Sequence, residues 1–264
     1  MGIPRFELLE PTSYEEASRL LASHETIPIA GGTAVVSMMR QRIFAPSHIV
    51  SLHRIPGLGE ISKIEGGGLS IGAMTTLRAI ETHPGVVRQY PLLAETLSRV
   101  ANVRVRYSAT LGGNLAHGDY RLDPPGALIA LGASIRLGSV RGERTLPVEY
   151  FFKGFFETDK EEDEILLSID LPAPVQAASS HYLKFTSHAS VDWPCIGVAV
   201  FLRWDSGGRC EGGRVVLTAA AETPILLEGV DAVIQGKVIT EAAARKVGDL
   251  AAQQLDPIED ASGS

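Results

Sequence analysis

The stretch IAGGTA at residues 29–34 joins an apolar run at 27–30 to a segment with helical spacing at 33–42. The pattern predicts a buried strand followed by a helix, with the glycine pair in the turn between them. Glycines let backbone N–H groups approach a ligand closely, and a helix N-terminus adds unpaired donors and partial positive charge. The turn therefore fits a phosphate or pyrophosphate site, and it also fits a tight structural turn capped by Thr33.

A second glycine pair lies in ATLGGNLA at residues 109–116, inside a stretch (110–118) whose composition predicts irregular structure. Thr110 and Asn114 flank this pair and add two polar side chains. Further along, Asp123 precedes two prolines and an apolar helix. Its carboxylate could accept hydrogen bonds from sugar hydroxyls, or it could cap the helix. Two such segments in one domain indicate an anionic, nucleotide-like ligand, although neither is a GxGxxG motif or a P-loop.

Strand and helix patterns alternate in the first part of the chain, whereas strands cluster before helices in the last part. The stretch 172–180 is rich in Pro, Ala and Ser and is the predicted domain boundary. An α/β domain followed by a smaller α+β domain is therefore expected. Strands are predicted at 27–30, 48–52, 60–64, 68–73, 134–137, 165–171, 181–185, 196–204 and 214–220, and helices at 13–23, 33–42, 75–81, 91–102, 128–131, 229–235 and 240–253.

The composition is that of a globular protein: of 264 residues, 45% are hydrophobic and 21% are charged, and the formal charge is −7. An acidic chain argues against nucleic acid as the main partner. The apolar runs are too short for a membrane span. Cys195 and Cys210 form no CxxC pair and cannot build an iron–sulfur or zinc site alone, so no metal ligands are nominated. Two free thiols fit a reducing cytoplasm, which is the expected location.

Several motifs together are specific to one family. They are AGGT at 30–33, IGAMTT at 71–76, ATLGGNLAHGDYRLDPPGALIALGA at 109–133, HYLKF at 181–185 and GRVVLTAAAETPILLEGVDAVIQGK at 213–237. In this order they resemble the flavoprotein (medium) subunits of the xanthine dehydrogenase and carbon monoxide dehydrogenase family, the molybdenum hydroxylases. The resemblance covers nearly the whole chain.

The resemblance implies a FAD-binding domain of the vanillyl-alcohol-oxidase (PCMH-like) type at residues 1–175, with subdomains at about 1–55 and 56–175. A C-terminal domain like that of carbon monoxide dehydrogenase flavoproteins would follow at 176–264. FAD would lie between the two subdomains, with its pyrophosphate on both glycine segments. The residues assigned to the cofactor in this way are Ala30, Gly31, Gly32, Thr33, Ala34, Thr110, Leu111, Gly112, Gly113, Asn114, Asp123, Lys184 and Trp193.

Three of these residues have roles that the resemblance implies individually. Asp123 matches an Asp that helps to fix the cofactor, and Lys184 matches a Lys near the flavin ring or the ribityl chain. Trp193 falls where some relatives have an aromatic residue beside the flavin. It could stack on the ring or gate access to it, and it could equally be a packed residue at the domain seam.

The chain also departs from the family pattern. Ala34 stands where Asp is common, Tyr107 where Asn is common, and His188 where Arg is common. The last change could alter the flavin potential or the acceptor. Many relatives continue into one more helix beyond the segment that ends at residue 264. A truncated C-terminus and a helix absent from this branch are both compatible with the sequence.

The implied function is electron transfer within a heterotrimer that forms a dimer of heterotrimers. A large molybdenum-cofactor subunit with molybdopterin would oxidise the substrate. A small iron–sulfur subunit with two [2Fe–2S] clusters would deliver electrons to FAD in this chain, which would pass them to an external acceptor. No catalytic acid, base or nucleophile is nominated. A stand-alone flavin oxidoreductase and a scaffold subunit that has lost FAD are the alternatives, and the sequence identifies neither substrate nor acceptor.

Overall fold

The strands of the protein form separate sheets in successive parts of the chain. The computed structural model describes residues 2–23, 25–187, 189 and 192–259. The strands are β1 (Glu7–Leu9), β2 (Thr26–Ile29), β3 (His48–Ser51), β4 (Ile61–Lys63), β5 (Leu69–Gly72), β6 (Ser134–Ser139), β7 (Gly142–Pro147), β8 (Phe152–Gly154), β9 (Glu157–Thr158), β10 (Ile165–Leu171), β11 (Ala178–Phe185), β12 (Ile196–Trp204), β13 (Cys210–Thr218) and β14 (Ile225–Leu226).

The first sheet is parallel and has the order β1-β3-β2, and the next is antiparallel with the order β4-β5-β10-β6-β7. The C-terminal sheet is antiparallel with the order β11-β12-β13-β14, and β8 pairs with β9 in a separate hairpin. The described residues therefore form a mixed α/β fold, as the sequence predicted, with parallel pairing confined to the N-terminal sheet.

Helices connect and cover these sheets. They are α1 (Tyr14–Leu21), α2 (Val35–Arg40), α3 (Leu77–Thr82), α4 (Pro84–Gln89), α5 (Pro91–Ser98), α6 (Val103–Ser108), α7 (Leu111–His117), α8 (Pro124–Leu131), α9 (Val230–Ile234) and α10 (Glu241–Gln254), with 3-10 turns at Leu52–Arg54 and Val148–Tyr150.

One hydrophobic cluster joins the five-stranded sheet to the C-terminal sheet. Leu111 of α7 and Leu128 of α8 belong to this cluster, and so do Tyr182, Ala199 and Val216 of β11, β12 and β13. Seven of the eight residues of α8 are buried, and each fully buried Leu or Ile stabilises the fold by about 1.5–3 kcal/mol. The hydrophobic cluster therefore contains residues from both sides of the boundary predicted at 172–180, so the two parts of the chain share one core.

Small residues let α8 approach the C-terminal sheet closely. A Cβ added to Gly126 would lie 3.0 Å from Cγ2 of Thr218 and 3.5 Å from Cβ of Ala199. The two prolines at the start of α8 suit the first helical turn, where no N–H partner is needed. Gly132, in the left-handed conformation, ends the helix. This packing brings the residue before α8, Asp123, against β11.

The prediction of irregular structure at 110–118 was wrong, because this stretch contains helix α7. Thr110 caps the helix by accepting a hydrogen bond from the Gly113 amide, and Gly118 ends it with φ of 65°. The glycine pair is tolerated within α7 because the helix packs tightly: a Cβ on Gly112 would lie 2.5 Å from Cβ of Ala73. The helices α4 and α6 were not predicted. In the part of the chain that the structure describes, no helix has the length and apolar character that crossing a membrane requires.

Candidate functional site

The first glycine segment, residues 30–34, leaves its backbone donors unpaired. In the described part of the chain, the amides of Gly31, Gly32, Thr33 and Ala34 donate to no protein acceptor. Gly32 has φ of 70°, a left-handed conformation that favours glycine. Ala34 precedes α2 and gives it no side-chain cap. A helix start with this many free N–H groups is suited to an anion.

In the second glycine segment, residues 110–114, the amides of the four residues from Leu111 to Asn114 are all paired. Leu111 donates to the Thr75 carbonyl at 3.0 Å, and Gly112 donates to the Ala73 carbonyl at 2.9 Å. The Gly113 amide donates to the Thr110 hydroxyl at 3.1 Å, and the Asn114 amide donates to the Thr110 carbonyl at 2.9 Å. The start of α7 therefore has no free N–H group for an anion. Its glycines act through close packing instead.

The two glycine segments lie against each other. A Cβ on Gly31 would overlap the carbonyl group of Ser108, the last residue of α6, and a Cβ on Gly113 would lie 3.2 Å from Cβ of Ala30. Gly113 is exposed beside this contact. Oδ1 of Asn114 is buried and, among the described residues, has no hydrogen-bond partner. The side-chain amide can also be turned so that its NH₂ occupies the same place.

Asp123 and Lys184 form a buried ion pair at the seam between the N-terminal part and the C-terminal sheet. Nζ of Lys184 lies 2.9 Å from Oδ2 of Asp123, and the side chains are 5% and 4% exposed. Tyr182, which the sequence analysis did not single out, donates its hydroxyl to Oδ1 of Asp123 at 2.6 Å. Burial raises the pKa of the Asp123 carboxyl, and the ammonium of Lys184 opposes that rise. Burial also raises the pKa of the Tyr182 hydroxyl.

Trp193 lies on the surface rather than in a packed core, because it is 48% exposed. Its ring lies 4.9 Å from the guanidinium carbon of Arg121, a cation–π contact. Arg121 is held in turn by an ion pair with Asp119 at 3.1 Å. The sequence analysis missed Arg121 and Asp119, although both lie in the quoted stretch 109–133. Trp193 is therefore not a buried core residue, although its contact with Arg121 joins the C-terminal part of the chain to the N-terminal part.

The departures from the family pattern have different structural settings. Ala34 leaves the start of α2 without a side-chain cap. Tyr107 is 64% exposed on α6, one residue before the Ser108 carbonyl that contacts Gly31. His188 lies outside the described residues.

Two family models match successive parts of the chain. A family model described as the FAD binding domain in molybdopterin dehydrogenase matches residues 4–174. Another, described as the CO dehydrogenase flavoprotein C-terminal domain, matches residues 181–264. This chain belongs to the molybdenum hydroxylase family, as a FAD-binding medium subunit. The members that it resembles are dehydrogenase and hydroxylase subunits, so the chain is a subunit of an oxidoreductase.

Individual medium subunits are similar over almost their whole length. The medium chain of carbon monoxide dehydrogenase from Hydrogenophaga pseudoflava is 36% identical over 98% of this chain and 90% of its own length. The nicotine 6-hydroxylase medium subunit of Paenarthrobacter nicotinovorans is 29% identical over 100% of this chain and 92% of its own length. The family therefore includes members whose names imply quite different substrates.

Solved structures confirm the predicted fold class. A structure of carbon monoxide dehydrogenase from Hydrogenophaga pseudoflava, which lacks the Mo-pyranopterin moiety of the molybdenum cofactor, matches with a TM-score of 0.95 and 36% identity. The match covers 100% of this chain and 92% of the carbon monoxide dehydrogenase chain. Quinoline 2-oxidoreductase from Pseudomonas putida 86 matches with a TM-score of 0.93 and 33% identity. This match covers 100% of the present chain and 91% of the oxidoreductase chain.

The residues of the glycine segments fit FAD. The unpaired amides of 31–34 match a pyrophosphate, and the buried Oδ1 of Asn114, which has no partner among the described residues, can pair with a polar group of the cofactor. Asp123 is less suited than these groups to bind the cofactor, because both of its carboxylate oxygens already accept hydrogen bonds from protein donors.

Proposed function

We propose that the chain holds FAD with its pyrophosphate on the amides of residues 31–34, and that it transfers electrons to an external acceptor. The observation that carries the proposal is the group of unpaired amides at the start of α2, in a segment that packs against Ser108 and the exposed Gly113. The next residue, Asn114, has a buried Oδ1 without a hydrogen-bond partner among the described residues. Backbone donors held by a strand–turn–helix need little rearrangement to bind an anion, so they are suited to a permanently bound dinucleotide.

The remaining residues of the proposed site act by position and charge. When bound, FAD supplies a carrier that can accept and release one or two electrons. Lys184 contributes a buried ammonium at the domain seam, and Trp193 contributes an exposed aromatic face that Arg121 holds in place. Thr110 keeps α7, and therefore Asn114, in position. No side chain in this assignment acts as an acid, a base or a nucleophile.

The proposed partners are a large subunit with molybdopterin and a small subunit with two [2Fe–2S] clusters, arranged as a dimer of heterotrimers in the cytoplasm. The names of the relatives support this assembly, because they are medium chains and subunits of larger complexes. The chain has two cysteines, fewer than the four thiolates of one cluster, so the clusters would belong to another chain.

The test of cofactor binding uses the purified full chain. We expect visible flavin absorption and about one released FAD per chain for the wild type, and loss of FAD in Gly31→Ala, because the added methyl group overlaps Ser108 and separates the two glycine segments. Gly59→Ala is the matched control, since a Cβ at Gly59 meets nothing within 4 Å. Full FAD occupancy in a folded Gly31→Ala protein would refute the placement of the pyrophosphate.

The test of the assembly is native mass spectrometry of the complex purified through a tag on this chain. Copurification with two other chains in equal amounts supports the proposal, and a doubled mass supports the dimer. A chain that is isolated alone, carries FAD and turns over a substrate would favour the stand-alone oxidoreductase. A colourless chain within an otherwise complete complex would favour the scaffold alternative.

A further inference from the structure

The guanidinium of Arg121 lies against two aromatic rings. Its central carbon is 5.2 Å from the centre of the Tyr120 ring and 4.9 Å from the centre of the Trp193 ring. A planar guanidinium stacks on aromatic faces and is attracted to them by its charge. The contact with Trp193 joins a turn that follows α7 to the loop between β11 and β12.

Asp119 fixes the direction of the Arg121 side chain. Nε and Nη2 of Arg121 donate to Oδ1 and Oδ2 of Asp119 at 3.2 and 3.1 Å, and the backbone N–H of Arg121 donates to Oδ1 at 2.9 Å. The Asp119 side chain is only 3% exposed. The Tyr120 carbonyl accepts the Ala219 N–H at 3.1 Å, which ties the same turn to the residue after β13. The guanidinium is therefore held before any ligand binds.

This turn lies beyond one end of α7, and the unpaired amides of residues 31–34 lie near the other end. Gly113, near the start of α7, is exposed and lies beside Ala30. A helix of seven residues is about 10 Å long, so the contact between Arg121 and Trp193 is about that far from the proposed pyrophosphate position. Trp193 is still 48% exposed although Arg121 covers part of it, and a planar group can stack on the open part.

We propose that Arg121 and Asp119 are positioning residues, which act on the flavin ring of bound FAD through Trp193. The inference rests on the proposed function, because it takes Trp193 as the residue that stacks on the flavin. Asp119 holds the guanidinium, the guanidinium holds one side of the indole, and the indole presents its open surface to the ring. A side chain that is held in advance loses less freedom on binding, so its contact with the ring is stronger.

A double-mutant cycle on the full chain tests this order of contacts. Equilibrium dialysis gives the dissociation constant of FAD for the wild type, Arg121→Met, Trp193→Leu and the double variant. Trp193→Leu should raise the constant about two- to tenfold, the size of one aromatic stacking contact. Arg121→Met should raise it by no more than that. In the Trp193→Leu background, Arg121→Met should alter the constant less than about twofold, because the group through which Arg121 acts is gone.

The emission of bound flavin provides a readout that a purely structural role would not move. An indole in contact with a flavin quenches its emission, so Trp193→Leu should raise the emission of bound FAD at saturating protein. Arg121→Met should produce part of the same rise. Trp204→Phe is the matched control, because Trp204 lies at the opposite end of β12 from the loop that carries Trp193, and it should leave the emission unchanged. Arg245→Met controls for the loss of an exposed cation.

A second variant keeps the test decisive if Arg121→Met does not fold. Asp119→Asn removes the charge that holds the guanidinium and keeps an oxygen for the Arg121 N–H, so it should act in the same direction. The inference is overturned if the folded variant has wild-type FAD affinity and emission while only its melting temperature falls. It is also overturned if the affinity change is equal in both backgrounds, or if Trp193→Leu changes neither quantity. A wild-type chain that binds no FAD would overturn the proposed function as well, so the wild-type measurement separates the two failures.

Discussion

The two glycine segments look alike in sequence and differ in what their backbones do. Residues 30–34 and 110–114 each place a glycine pair beside a threonine, and each precedes or begins a helix. In the first segment the amides of Gly31 to Ala34 have no protein acceptor among the described residues, whereas in the second the amides of 111–114 are all paired.

The difference shows that a glycine pair at a helix start has two distinct uses. In the first segment the absence of a Cβ leaves the backbone open, and the unpaired donors can bind an anion. In the second segment it permits contact between Gly112 and Ala73, and the donors are consumed by the fold. Beyond the second segment, each carboxylate oxygen of Asp123 likewise accepts a hydrogen bond from within the fold, from Tyr182 or from Lys184.

The largest expected effect comes from removing Asp123. Asp123→Ala leaves the Lys184 ammonium and the Tyr182 hydroxyl buried without their partner, so the free energy of unfolding should fall by about 3–5 kcal/mol. Urea denaturation of the FAD-free chain measures the fall. Glu241→Ala is the control, because its ion pair with Arg245 is 79% exposed on the glutamate side and should contribute at most about 1 kcal/mol. Equal stabilities of the two variants would contradict a structural role of Asp123.

A smaller effect is expected at Gly112. In Gly112→Ala the added methyl group lies 2.5 Å from Cβ of Ala73 and 2.8 Å from its carbonyl oxygen. Overpacking of this kind costs about 1–3 kcal/mol, and a gain in helix propensity of up to about 1 kcal/mol offsets part of it. Thermal unfolding of the FAD-free chain checks the net loss, with Gly59→Ala unchanged as the control. A stabilised Gly112→Ala protein would show that α7 can move away from Ala73 at little cost.

The smallest effects come from a matched pair of threonine substitutions. Thr110→Ala removes the cap of α7 and should lower the free energy of unfolding by about 1 kcal/mol. Thr33→Ala removes an exposed side chain that caps no helix, so the unfolding free energy should change by less than about 0.5 kcal/mol. We expect the FAD dissociation constant to rise mainly in Thr33→Ala. The opposite pattern would mean that the second segment, not the first, holds the pyrophosphate.

Much of the fold was predictable because local signals agree with the tertiary structure. The strand at 165–171 has the predicted bounds, and the helix predicted at 13–23 is observed as α1, which Ser13 caps. The helix at 111–117 was not predicted, since glycine pairs indicate turns unless a neighbouring segment packs against them. Here that neighbour is Ala73, about 40 residues earlier in the chain.

The sequence nominated residues for the candidate site, but it did not predict the contacts between them. Asp123 and Lys184 were both nominated, yet their ion pair joins residues 61 apart in sequence. Tyr182 carries no local signal, because a tyrosine in a strand is ordinary and its partner lies 59 residues away. The pairing of the Leu111 and Gly112 amides depends on the carbonyl groups of Thr75 and Ala73, which the sequence near the glycines does not reveal.

The shared packing of α8 with β12 and β13 has a consequence for how the chain is made. Leu128 and its neighbours on α8 leave the ribosome about 90 residues before Val216 and Thr218, which pack on or near them. At about 5–20 residues per second, that interval is on the order of 5–20 s. During this time α8 lacks the C-terminal sheet that packs on it in the finished protein, so the nascent chain exposes apolar surface that is buried only after β13 has been made.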